Sequence, residues 1–430
     1  MKDFIRNFIE SPQLTFGTVG TVENVWTAWP EESSLGEIVR EGAEKLVKIA
    51  VMAEFENFFS QYSHLKEENG KQLVVRNGFH RERNVMTAAG NIRVKIPRLC
   101  DRREGKGKKD RLRFHSKMIP PYLRRANEMD EFIPYLYLKG ISSGDFSDVL
   151  SQLLGEKVSL SAQTVSRLKK QWEIEYSEWS QRDLSTRRYV YWWADGVHFN
   201  IRMESEGNCM LVIVGALSDG TKELVAVKEG PRESELSWQN LLLDLKRHGL
   251  SFGPLMAIGD GALGFWNAIN KEYPETRHQR CWVHKTANIL DKLPKSLQPE
   301  AKGMIHEIYM SPTRNAALKV FDDFVRLFKT KYPKATDCLV KDKEQLLTFY
   351  DFPAEHWVHI RSTNVIESTF STVRLRTYKT KGCLSRQTAL TMVFKLIQAA
   401  EKKWQRIHNY KLLPVVLSGE EFIDGVLKAA

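Results

Sequence analysis

From Tyr189 the sequence changes texture, and that change limits the fold more than any other feature of the chain. "YVYWWAD", "VHFNIRM" and "CMLVIVGAL" are strongly β-prone runs, followed by "KELVAVKEG". A helical "ESELSWQNLLLDLKRHG", the strand "PLMAIGD", the helix "GALGFWNAINKEY" and a short strand around "RHQRCWV" come next. Consecutive antiparallel strands that give way to alternating helix and strand predict a mixed α/β sheet. Residues 286 to about 355 return to helical spacing, as in "NAALKVFDDFVRLFKTKY", and the helical "TALTMVFKLIQAAEKKWQRI" closes the fold. At 430 residues and 42% apolar composition the chain is long enough for two to four domains with real cores.

Upstream of that switch the pieces are smaller. Residues 34–63 carry apolar positions at helical spacing behind Ser34, which predicts an amphipathic helix or helix pair that could also serve as a dimer surface. "KQLVVRNGFHRERNVMT" and "NIRVKIPRL", punctuated by Asn-Gly and Gly-Asn, read as a small β unit, and "DRREGKGKKDR" after it as a basic loop. Residues 142–173 divide into "SSGDFSDVLSQLLG", a linking "EKVSL" and "SAQTVSRLKKQWE", the proportions of a helix-turn-helix. The polar face of its second helix offers Gln163, Thr164, Arg167 and Lys170 to DNA.

Charge identifies the class of partner. The net charge is +11, but it is concentrated: residues 98–125 hold eleven Arg or Lys against three acids, and residues 361–411 eleven against two. Clustered basic charge on an otherwise ordinary chain points to a polyanion, nucleic acid before membrane. The candidate contacts are Arg102, Arg103, Lys108, Lys109, Arg111 and Arg113 in the first cluster, and Arg361, Arg374, Arg376, Lys379 and Lys381 in the second. The five cysteines are far apart and form no Cys-x-x-Cys pair, so no disulfide framework is expected. The start "MKDFIRNFIESPQ" does not read as a secretory signal, and no apolar run reaches the ~20 residues of a membrane helix. A cytoplasmic protein is expected.

Three acids stand out, and singly each has a structural explanation. Asp195 precedes Gly196 between two β runs, the pattern of a hairpin turn. Asp260 ends a strand ahead of a helix and suits an N-cap. Glu367 lies three residues after Asn364 and ahead of Ile366, Phe370 and Val373, the pattern of a capping box on an amphipathic helix. Taken together they mean more. Asp195 and Asp260 fall at the carboxyl ends of apolar strands, where open α/β sheets place ligands. Glu367 is the only acid between His356 and Ala400, amid seven Arg or Lys. Three hard oxygen donors beside dense positive charge suit Mg²⁺ or Mn²⁺ held with a phosphate backbone.

The segments "WADGVHF", "GPRESELSWQNLLLDLKRHGL", "AIGDGALGFWNAI", "HQRCWVHKTANIL" and "RSTNVIESTFSTVRLRT" resemble, in order, the motifs of the Mutator-type transposases of bacterial insertion sequences. "RNGFHRERNVMTAAGNIRVKIPRL" and "LKGISSGDFSDVLSQLLGEKVSLSAQTVSRLKK" resemble the same family's β unit and DNA-binding helices, so the similarity spans roughly residues 70 to 410. It implies a ribonuclease-H-like mixed sheet with an all-helical insertion, and a catalytic triad of Asp195, Asp260 and Glu367 on two Mg²⁺ or Mn²⁺ ions. In that scheme Asp195 bridges both ions, Asp260 holds one and Glu367 the other. The 107 positions from Asp260 to Glu367 leave room for the insertion. Cys281 and His284 match the family's Cys-x-x-His, read here as a packing and hydrogen-bonding motif, with His278 as a remote third metal ligand.

The implied activity is cleavage at the ends of a mobile element and joining of the freed 3′-hydroxyl to DNA. The implied partners are double-stranded DNA, as terminal inverted repeats and target, and further copies of the chain in a homodimer or higher oligomer, at the bacterial nucleoid. The expected organisation is an N-terminal helical region (1–65), the β unit and basic loop (66–130), the helix-turn-helix-like region (131–180), the catalytic core in two parts (186–290 and 356–412) around the helical insertion (291–355), and a tail (413–430). Two other classes stay open. A domesticated, DNA-binding regulator without catalysis would keep the basic patches, and another ribonuclease-H-like nuclease would keep the acids but lack "CWVHK".

Overall fold

In the computed structural model, the structure describes residues 34–104, 107, 110–126, 129, 132, 136, 141, 145–154, 162–199, 208–230, 232–261, 264–379 and 385–428. The chain divides into two compact units, residues 1–135 with 144–160 and residues 136–143 with 161–430.

The first unit is built on one long helix, α1 (Leu35–Ser60), rather than a helix pair. Ser34 and Glu37 close a reciprocal capping box: the Ser34 hydroxyl accepts from Glu37 N, and Ser34 N donates to Glu37 Oε2 at 2.9 Å. The expected β unit is two antiparallel pairs, β1 (Val74–Phe79) with β4 (Pro97–Asp101) and β2 (Arg83–Thr87) with β3 (Gly90–Val94). Val51 and Phe55 of α1 pack with Val85, Ile92, Val94, Phe114 and Ile119 into one small core. Beyond β4 the basic tract is tied down at its root. The buried Asp101 carboxylate accepts from Arg103 Nε and Nη2 at 2.9 and 2.7 Å and from Leu112 N at 2.9 Å. Helix α2 (Phe146–Leu154) buries Leu150 in this unit.

The second unit starts with α3 (Ala162–Ser180). The two helices expected to form a helix-turn-helix therefore fall in different units, and their linker, with Gly155, lies outside the described residues. Next comes a five-stranded mixed sheet of β5 (Tyr189–Phe199), β6 (Asn208–Leu217), β7 (Lys222–Gly230), β8 (Met256–Gly259) and β9 (Arg277–Arg280), in the order β7-β6-β5-β8-β9. β5, β6 and β7 are antiparallel, while β8 and β9 run parallel to β5.

One expectation fails here. No hairpin forms at Asp195-Gly196: the strand runs through, with Asp195 opposite Val212 and Gly196 opposite Leu211. An Asp-Gly pair turns a chain only where the flanking segments pair with each other, and here both flanks pair with β6.

Alternation along β5 sends side chains to two cores. Trp192, Ala194, Leu211 and Ile213 meet α4 (Glu235–Arg247) and α5 (Phe265–Glu272) through Trp238, Leu242, Phe265 and Ile269. Tyr191, Trp193, Val197, Met210 and Val212 join a larger core on the other face. From α6 (Trp282–Leu290) through α7 (Gln298–Met310), α8 (Arg314–Phe328) and α9 (Pro333–Val340), every element up to Ile360 is helical.

Helix α10 (Asn364–Lys379) then lies on β5, with Ile366, Phe370 and Val373 at most 1% exposed. α11 (Arg386–Glu401) packs on β7 and α3, where Phe394 meets Trp179 at 4.8 Å and Lys395 Nζ binds Glu175 at 2.7 Å. After α12 (Leu413–Leu417), the tail forms a hairpin of β10 (Phe422–Ile423) and β11 (Val426–Leu427). It is pinned by Gly425 N to Tyr350 O at 3.0 Å, and Asp424 Oδ1 accepts from Arg314 N at 2.6 Å, capping α8.

Candidate active site

The register of the parallel strands brings the first two acids together. Trp193 of β5 is level with Ile258 of β8, so Asp195 and Asp260 each lie two residues beyond the same rung. Asp260 is not the cap of α5, whose N-cap is Gly264 without a side-chain bond. Its carboxylate accepts from its own neighbour, Gly261 N, and its carbonyl is held by Trp266 Nε1 at 2.6 Å. Glu367 comes from the first turn of α10. The expected Asn364 box is replaced by Thr363, whose hydroxyl donates to Glu367 Oε1 at 2.7 Å while its carbonyl accepts from Glu367 N at 3.1 Å.

Cys281 and His284 complete this corner. Cys281 caps α6, and its Sγ receives Thr363 N at 3.4 Å. His284 Nδ1 lies 3.4 Å from Thr363 Oγ1 and 3.7 Å from Glu367 Oε1. The hydrogen bond with Cys281 is the largest influence on His284, and with the negative charge of Asp260 and Asp195 it overcomes burial to raise the imidazole to about 9. In the metal-free site these influences, with the charge of Cys281, favour the protonated imidazole of His284. Asp195 shows the opposite stress: burial pushes its carboxyl up to about 7, opposed by Gly196 N and His284 and reinforced by Glu233 and Glu367. Asp195, Asp260, Glu367 and His284 thus share one electrostatic neighbourhood.

The residues fit a hard divalent cation. Asp195 is a buried carboxylate that among the described residues has one close donor, Gly196 N at 2.8 Å, and burial leaves its negative charge under-compensated. A cation shared with Asp260 and Glu367 is the natural counter-charge for an all-oxygen donor set. Cys281, His284 and Glu367 also bring ligand atoms within 4.8 Å of one another. His278 stands apart from them on β9, its ring 4.7 Å from that of Trp266 and pushed down to about 4 by burial.

Beside Asp260 is a network the sequence did not reveal. Buried Lys285 pairs with Asp342 and donates to Cys338 O at 3.0 Å, and Arg280 stacks 3.9 Å from the Trp266 ring while approaching Asp342. The paired Lys285 and Asp342 lie together beside Gly261, the neighbour of Asp260. Glu233, close enough to influence Asp195, was equally unforeseen. Its only signal was membership of the "GPRES" segment.

The basic candidates divide. Arg102, Arg111, Arg113, Arg167 and Arg374 are exposed. Arg103 is engaged with Asp101, and Arg361 is held over Phe349 and Trp357 at 4.7 and 5.0 Å with Nη1 on Met310 Sδ at 3.2 Å. The side chains of Gln163, Thr164, Arg376 and Lys379, and all of Lys108, Lys109 and Lys381, lie outside the described residues.

Residues 24–407 match the family described as "Transposase, Mutator family". The transposase for insertion sequence element IS6120 of Mycolicibacterium smegmatis is 48% identical over 299 residues, 70% of this chain and 92% of that protein. The transposase for insertion sequence element IST2 of Acidithiobacillus ferrooxidans is 50% identical over 287 residues, 65% of this chain and 95% of that protein. Among solved structures, the HTLV-2 integrase catalytic core domain in complex with magnesium matches 34% of this chain and 90% of that one at 18% identity, with a TM-score of 0.17 that supports no argument.

Proposed function

The chain belongs to the Mutator family of transposases, and we propose that it cleaves DNA at the ends of an insertion sequence and joins the freed 3′-hydroxyl to a second DNA phosphate, using Asp195, Asp260 and Glu367 as its catalytic acids. The observation that carries this reading is the shared neighbourhood of the three carboxylates around His284, from positions as far apart as 195 and 367. The ribonuclease-H-like character of the core is part of the proposal. It is supported by the strand order and by a third acid arriving on a helix after an all-helical segment.

Two Mg²⁺ or Mn²⁺ ions held by the triad would activate the attacking oxygen and stabilise the leaving one. The protein's own groups do the positioning. Thr363 fixes the Glu367 carboxylate, His284 lies beside it, and Trp266 holds the Asp260 segment. Arg374, Arg376, Lys379 and Lys381 on and after α10 would hold phosphates without reading sequence. Recognition of terminal repeats is assigned to the exposed residues of 98–125 and to the 142–173 helices. Action on paired ends by two or more copies of the chain, at the nucleoid, completes the proposal.

The decisive experiment incubates the purified protein and its Glu367→Gln variant with a DNA fragment carrying the element's ends and Mg²⁺. Cutting and joining by wild type alone, abolished by excess chelator, is expected. Equal joining by the variant removes Glu367 from the mechanism, and activity in chelator removes the metal.

A further inference from the structure

Across the sheet from Asp195, three side chains of metal-ligating type converge. His198 and Cys209 are directly opposed in the β5–β6 ladder, so both leave the same face, the one Gly196 shares. Glu233, just ahead of α4 and its N-cap Ser234, brings its carboxylate between them. Its Oε1 lies 2.9 Å from His198 Nε2 and 3.6 Å from Cys209 Sγ, and all three ligand atoms fall within 4.8 Å of one another.

Two glycines make the convergence possible. A Cβ on Gly196 would overlap the Glu233 carboxylate and come 2.7 Å from Cys209 Sγ. Gly264 N donates to Glu233 O at 3.2 Å, and a Cβ on Gly264 would overlap the backbone of Glu235, so the approach of α5 that fixes Glu233 also requires glycine. Gly196, read from the sequence as half of a turn, is here the space into which a carboxylate fits.

We propose that His198, Cys209 and Glu233 form a zinc site separate from the catalytic carboxylates, with His198 Nε2, the Cys209 thiolate and a Glu233 oxygen as ligands. One sulfur, one nitrogen and one oxygen select Zn²⁺ over Mg²⁺, which takes oxygen. A tetrahedral zinc with bonds of ~2.0–2.3 Å holds its ligand atoms ~3.3–3.8 Å apart, so the 2.9 and 3.6 Å separations need to change only by tenths of an ångström. Binding releases the Cys209 proton to solvent. The fourth position is left to water on the side of His198, whose side chain is 63% exposed. The ion would clamp β5, β6 and the start of α4 three residues along β5 from Asp195, and would screen the Glu233 charge that now bears on it.

The test strips the full-length protein of metal and titrates it with Co²⁺, which reports thiolate ligation by a charge-transfer band in the near ultraviolet. A saturable band, displaced by Zn²⁺, lost in Cys209→Ser and kept in Cys281→Ser, is expected. Absence of the band in wild type, its survival in Cys209→Ser, or its loss only in Cys281→Ser overturns the proposal. Cys209 is buried and its variant can misfold, so His198→Ala decides independently. That exposed ligand's removal is expected to weaken Co²⁺ binding at least ~tenfold, the least that even an outer-shell change costs such sites. Unchanged affinity in His198→Ala overturns the site.

Discussion

Asp195 carries opposing demands on one carboxyl. Burial raises it from an ordinary 3.8 to about 7, so the metal-free folded state keeps a proton that the unfolded chain gives up. The sign follows from linkage: the associated stability is fully present below about pH 4 and is lost as pH rises through about 7. In urea unfolding without metal, wild type is therefore expected to weaken over this range relative to Asp195→Asn. At pH 8 the variant should be the more stable by on the order of a few kcal/mol, while losing all DNA cleavage. A variant less stable than wild type at pH 8 would show that the site already compensates the charge.

Residue roles were only partly legible in the sequence. The acids were visible as a set through their motif order, but Asp195-Gly196 reads as a turn because a sequence does not say that β6 pairs with both of its flanks. Arg103 and Arg361 read as phosphate contacts for the same reason. A basic residue does not disclose the buried Asp101, or the Phe349 and Trp357 rings, that it meets in the fold.

At the scale of elements, α10 is where packing and chemistry are most tightly joined. Its Ile366, Phe370 and Val373 stripe was plain from spacing alone, since helical periodicity is local. The same stripe fixes where Glu367 points, because the acid leaves the helix beside residues that cannot shift in a filled core. Phe370→Ala is expected to cost about 3–5 kcal/mol of unfolding free energy. It should also reduce cleavage more than overall folding at permissive temperature, when activity is measured against the folded fraction by circular dichroism. Activity that tracks the folded fraction would mean that the helix holds its acid without this contact. The tail was illegible for a different reason. Two-residue strands have no pattern of their own, and this hairpin exists through its bonds to Tyr350, Ala354 and Arg314.

For the molecule as a whole, charge was the most legible property and its arrangement the least. Eleven basic residues in each cluster announce a polyanion, yet the division into two units separates the helices that sequence joins as one DNA reader. Binding to duplex DNA should weaken linearly in log affinity against log salt. Arg374→Ala is expected to flatten that slope by about one while leaving sequence preference unchanged. A change in preference without a change in slope would make Arg374 a reader of bases.

The three proposed catalytic acids enter the chain in the order 195, 260, 367, with the helical segment from α6 to Ile360 between the second and the third. On a ribosome that order is also a schedule. The basic tract and all five strands of the mixed sheet precede Glu367 in the chain. On the proposed function, a chain that stops before α10 is expected not to cleave DNA, because it lacks both Glu367 and the Ile366, Phe370 and Val373 stripe that covers β5.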